Sequence, residues 1–137
     1  MRIVLDTNVL VSALLSPFGP PGEILRLITT GLIRVCHDAR ILCEYRQVLL
    51  RPAFPFGRFQ VESLLDQIEA DGVPVAALPL AQRLPDPDDE AFLEVALAGE
   101  VRYLVTGNLK HYPTRTRQGV QVASPRDFLE AYRQSSA

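Results

Sequence analysis

The chain has 137 residues, 47% of them apolar and 22% charged, with a formal net charge of −2. That size and balance fit one globular domain spanning residues 1–137, with a real core and no room for a second domain. The charge excludes a generally basic nucleic-acid coat, though not a local basic groove beside an acidic pocket.

Short β-branched runs alternate with longer 3.6-periodic segments, the pattern of an α/β domain with a mainly parallel sheet. In chain order, a strand at about 2–5 leads to a helix at about 8–15, and the Pro-rich loop 16–22 to a helix at about 21–30. A strand at 33–37, a helix at 39–50, the loop 51–57, a helix at 58–71 and a strand at 73–76 follow. The chain closes with a helix at 87–99, strands at 102–105 and 120–123, and a helix at 125–133. Gly31 and Gly72 are placed to end helices in the left-handed conformation. Asp38, Asp86 and Ser124 are placed as caps, the last two ahead of a proline at the first helical position.

Cys36 and Cys43 lie in apolar surroundings, which fits reduced core thiols better than a disulfide framework. With only His37 and His111 available, a structural zinc site is not expected. The apolar start is interrupted by Asp6 and lacks the flanks of a secretory signal. No stretch approaches eighteen uninterrupted apolar residues, so the expectation is a cytoplasmic protein without a membrane span.

Three acids stand where apolar side chains are due. Asp6 follows Ile3, Val4 and Leu5, at the carboxyl end of a strand, where open parallel sheets gather ligands; as an alternative it caps the next helix. Glu44 shares a helix face with Ile41, Tyr45 and Val48, and otherwise reaches solvent or pairs with Arg40 or Arg51. The run Asp86-Pro87-Asp88-Asp89-Glu90 complements a helix dipole, but Asp89 falls on the stripe of Phe92 and Ala96, with Asp88 and Glu90 turned to either side. Thr106-Gly107-Asn108 follows the apolar strand Tyr103-Leu104-Val105. With the first strand central and flanked by the second and fourth, Asp6, Glu44, Asp89 and Asn108 converge on one crevice. Three carboxylates so close repel unless a cation lies between them. Oxygen ligands without a histidine or thiolate cluster point to Mg²⁺ or Mn²⁺.

Five stretches in this order resemble the PIN-domain nucleases, in particular the branch described as toxins of toxin-antitoxin systems. They are Ile3 to Leu15, Glu44 to Leu49 with Arg51-Pro52, Asp86 to Leu93, Leu104 to His111, and Ser124 to Leu129. The resemblance implies a three-layer α/β/α sandwich around a five-stranded parallel sheet in the order 3-2-1-4-5. It implies metal-dependent hydrolysis of RNA phosphodiesters, giving 5′-phosphate and 3′-hydroxyl ends, with Mg²⁺ or Mn²⁺ held by Asp6, Glu44 and Asp89, and Asp88 as the substitute for Asp89. Asn108 stands where many PIN domains have aspartate, lowering the site's charge by one unit. Thr106, Asn8 and Ser12 are expected to orient these ligands through hydrogen bonds.

A phosphate backbone at an acidic pocket needs cations at the rim. Lys110, the sole lysine, is the first candidate, with Arg46 and Arg51, then Arg58, Arg115 and Arg117. Phe54, Phe56 and Phe59 could stack bases, pack against a second subunit or pack locally. As partners, the resemblance implies an RNA substrate, a small antitoxin protein and a second copy of the chain. A haloacid-dehalogenase-like phosphatase also begins with a strand and an aspartate, but needs another aspartate where this chain has Asn8. The remaining alternative is a non-catalytic PIN-like module that binds RNA or protein.

Overall fold

The computed structural model describes residues 1–136. Five strands, β1 (Arg2–Leu5), β2 (Arg34–His37), β3 (Val73–Pro74), β4 (Tyr103–Val105) and β5 (Val122–Ala123), form a parallel sheet in the order β3-β2-β1-β4-β5. The helices are α1 (Thr7–Leu15), α2 (Pro20–Thr29), α3 (Ala39–Leu49), α4 (Arg58–Asp71), α5 (Glu90–Ala98) and α6 (Pro125–Ser136). The architecture is the expected three-layer α/β/α sandwich with β1 at its centre. Ile3, Val4 and Leu5 are therefore buried on both faces, as a central parallel strand requires. Helix α5 packs across β1, β2 and β4, α4 against β2, and α6 against β4 and β5.

Tyr45 ties α3 to the sheet. Its buried hydroxyl donates to the Leu5 carbonyl at 2.5 Å, and its ring meets Phe92 of α5 at 6.3 Å. The residue before it, Glu44, is thereby held beside the end of β1.

Several expectations need correction. The fifth helix begins later than expected: Pro87–Asp89 form a 3₁₀ turn, with Asp86 capping the Asp88 N–H at 3.0 Å, and α-helix starts only at Glu90. β3 and β5 keep two residues each of the expected four. Gly31 does adopt a left-handed φ of 83°, but Gly72 does not. Gly72 is required by space, since a Cβ there would lie 2.4 Å from the Val35 carbonyl and 2.8 Å from the His37 ring. Cys36 is a buried thiol and Cys43 is exposed, so only the first belongs to the core.

Glu90, expected to turn away from the buried face, is itself buried for a different purpose. It accepts the Leu84 N–H at 3.0 Å and meets Arg83 at 3.1 Å. One turn later Glu94 accepts the Leu80 N–H at 3.1 Å and pairs with Arg40 at 2.6 Å. These two glutamates fasten the segment between β3 and α5 along the helix and so fix the approach to Asp86.

Candidate active site

Four chain segments meet at the carboxyl ends of β1 and β4. The Asp6 N–H donates to Val105 at 2.9 Å and the Thr106 N–H to Ala123 at 3.0 Å, extending the sheet by one residue and setting Asp6 beside Thr106. Asp6 is both a helix cap and something more. Its Oδ1 accepts the Thr7 N–H at 2.8 Å, while its Oδ2 accepts the Thr106 hydroxyl at 2.8 Å and the Tyr112 hydroxyl at 3.2 Å. Asn8 Nδ2 stands 3.5 Å from the same oxygen, and Asn8 Oδ1 takes the Gly107 N–H at 2.8 Å, lacing α1 to the turn after β4.

Glu44 enters from α3 and accepts the Thr7 hydroxyl. Asp89 enters from the 3₁₀ turn and is 8% exposed, whereas Asp88 beside it is exposed. Asp6, Glu44 and Asp89 line one open cleft of about 410 Å³, together with Thr7, Asn8, Ser12, Phe54, Asp86, Asp88 and His111.

The carboxyls respond to this confinement. Burial raises Asp6 above its ordinary value against the opposing hydrogen bonds from Thr106, Tyr112 and Thr7. Burial likewise raises Glu44, opposed by the Thr7 hydroxyl and reinforced by the charges of Asp6 and Asp88. Asp89 is pushed up to about 7, first by burial and then by Asp6, with His111 pulling the other way. Burial is the leading cause in all three, and mutual repulsion adds to it for Glu44 and Asp89.

Asp89 Oδ2 is buried with no hydrogen-bond donor, although His111 Nδ1 lies 3.1 Å away. An oxygen in that state costs free energy unless something positive meets it. Together with the carboxylate-rich lining, it gives the cleft the chemistry of a divalent-cation site.

The other expected residues fall unevenly. Thr106 is fully buried and bonded to Asp6 as anticipated, and Asn8 contributes as well. Ser12 lines the cleft from α1. Asn108 is not among the lining residues; its N–H donates to the Thr106 hydroxyl oxygen at 3.0 Å. Arg46 pairs with Glu62 of α4 at 2.8 Å, and Arg117 donates to the Tyr112 carbonyl at 2.8 Å. Lys110, Arg51, Arg58 and Arg115 are exposed, and among the described residues no lysine or arginine lines the cleft. Arg51 is close enough to lower the Glu44 carboxyl. Phe54 lines the cleft and stacks on Phe56 at 5.6 Å, while Phe59 is exposed.

Sequence reasoning missed His111, Tyr112 and Asp86. His111 lies in the 3₁₀ turn Leu109–His111, and Tyr112 follows directly. A signal existed in the run Thr106 to Tyr112, where polar and aromatic residues crowd the end of a buried strand.

Residues 2–110 match the family model described as PIN domain. An uncharacterized protein of Methanocaldococcus jannaschii, MJ1680, is 26% identical over 143 residues, covering 96% of this chain and 92% of that protein. Among solved structures, VapBC2 from Rickettsia felis bound to a DNA fragment from its promoter superposes with a TM-score of 0.60 at 17% identity. That match covers 90% of this chain and 98% of the other. FitAB bound to an IR36 DNA fragment matches with a TM-score of 0.60 at 19% identity, over 91% of this chain and 95% of that one.

Proposed function

We propose, from the premise that the chain belongs to the PIN-domain family, that it is a Mg²⁺- or Mn²⁺-dependent endoribonuclease and the toxin of a toxin-antitoxin pair. The observation that carries this reading is the buried, donorless Asp89 Oδ2 in the cleft that Asp6 and Glu44 also line.

In this reading Asp6, Glu44 and Asp89 hold the ion, with Asp88 the substitute at the cleft edge; Asn108, expected as an auxiliary ligand, lies outside the cleft lining and backs the site through its N–H to the Thr106 hydroxyl. Once bound, a divalent ion lowers the pKa of a water and offsets negative charge on the phosphoryl oxygens. The protein's own part is positioning. Thr106 and Tyr112 fix one Asp6 oxygen and the Thr7 amide fixes the other, so the carboxylate cannot rotate. Thr7 also orients Glu44, so neighbouring acids from β1 and α3 are set by one residue. Lys110 and Arg51 are the cations for the flanking phosphates, Arg46 being engaged by Glu62, and Phe54 is the surface for a base.

The likeness of the fold to the VapBC2 and FitAB chains supports an antitoxin partner and self-association. Incubation of the purified protein with a labelled single-stranded RNA pool tests the activity. Cleavage in Mg²⁺ or Mn²⁺ is expected, lost on chelation and lost in a folded Asp6→Asn variant; cleavage undiminished in that variant overturns the reading. Growth arrest on expression, relieved by the neighbouring gene, tests the toxin assignment, and harmless expression of the active enzyme contradicts it.

A further inference from the structure

We propose that His111, with Asp86 and Asp89, ligates a divalent ion, so that this cleft has a mixed nitrogen and oxygen donor set favouring Mn²⁺ over Mg²⁺. The inference rests on the metal-dependent reading above and assigns to it ligands outside the set expected from the sequence.

Asp86, Asp89 and His111 each present a ligand atom within 4.8 Å of the others. Ligands about 2.1 Å from one octahedral ion stand about 3 Å apart in adjacent positions and about 4.2 Å apart in opposite ones. The 3.1 Å between His111 Nδ1 and Asp89 Oδ2 matches an adjacent pair, and Asp86 completes the group within 4.8 Å.

At 3.1 Å the imidazole makes no hydrogen bond to Asp89 Oδ2, which stays donorless in a residue more than nine-tenths buried. A neutral imidazole with its proton on Nε2 would instead turn the Nδ1 lone pair toward the same point as that oxygen.

The backbone presents these atoms from two short 3₁₀ turns, Pro87–Asp89 and Leu109–His111, one before α5 and one after β4. Asp86 is held by the Asp88 N–H at Oδ1, which leaves Oδ2 for a ligand. Imidazole is a poor ligand for Mg²⁺ but a good one for first-row transition ions, and Mn²⁺ accepts both donor types.

Electron spin-echo envelope modulation of the Mn²⁺-loaded protein tests this without reference to catalysis, because nitrogen bonded to Mn²⁺ modulates the echo. Wild type is expected to show ¹⁴N modulation, and His111→Gln to lose it and bind Mn²⁺ about tenfold or more weakly, while Mg²⁺ affinity changes little. Asp86→Asn is expected to weaken Mn²⁺ binding while keeping the nitrogen signal; circular dichroism establishes that each variant is folded. Bound Mn²⁺ without nitrogen modulation, or modulation that survives in His111→Gln, overturns the assignment and leaves the metal-dependent reading intact. Failure of the wild type to bind Mn²⁺ at millimolar concentration overturns both.

Discussion

Asp6 and Thr106, one hundred positions apart in the chain, meet at 2.8 Å where β1 and β4 end side by side. The threonine is fully buried and its hydroxyl also receives the Asn108 N–H, so it has one proton to give and gives it to the carboxylate. Replacing it with valine keeps the shape and removes the donor. Thr106→Val is expected to cost about 1–3 kcal/mol of stability, read by urea denaturation, and about 10–100-fold in metal affinity or activity. Tyr112→Phe is expected to act in the same direction and more weakly, because its contact is longer at 3.2 Å.

The raised carboxyls set the pH dependence of the metal-free protein. A carboxyl that ionises less readily in the folded chain contributes its stability at low pH, where both states hold the proton. That contribution declines once the unfolded chain ionises, near pH 4, and is gone above the folded value. For Asp89 that value is about 7, so stability in chelator is expected to fall between about pH 4 and about pH 7. Asp89→Asn is expected to flatten the fall and to be the more stable protein at the upper end. Urea midpoints across this range check it, and an identical slope in both proteins would count against it.

Mg²⁺ or Mn²⁺ is expected to reverse that loss by binding only the folded state. At an ion concentration about one hundred times Kd the gain is about 2.7 kcal/mol, which for a chain of this size raises Tm by on the order of 10 °C. The shift is expected to vanish in Asp89→Asn and to shrink in Glu44→Gln, as measured by calorimetry with and without chelator.

The segment before α5 is expected to loosen when Glu94 is removed. Glu94→Ala leaves the Leu80 N–H without its acceptor and Arg40 without its partner. Amide exchange at Leu80 is expected to accelerate while that of β1 is unchanged, and proteolysis is expected to begin between Leu78 and Arg83.

Much of this was legible because period and placement carry the information. Helical spacing set Glu44 on the inward side of α3, and Asp6 at a strand end needed no more than the apolar run before it; Asp89 is buried as its spacing from Phe92 and Ala96 implied, although it sits in the 3₁₀ turn ahead of α5. Thr106 and Asn8 followed from their adjacency to such ends. His111 and Tyr112 were illegible for the converse reason: a three-residue 3₁₀ turn has no period from which a facing direction can be read. Arg46 was offered as a cation for substrate, but its partner Glu62 sits on another helix, a pairing that no local pattern announces. Glu90 looked like an ordinary first-turn acid because the backbone amide it serves, that of Leu84, belongs to an irregular segment.

The most direct measurement is an anomalous difference map from crystals soaked in Mn²⁺ above the pH at which Asp89 ionises. The account predicts a peak in the cleft within bonding distance of Asp89 and of Asp6 or Glu44, absent in Asp89→Asn crystals. A map without any peak among these carboxylates, in crystals that admit the ion, would contradict it.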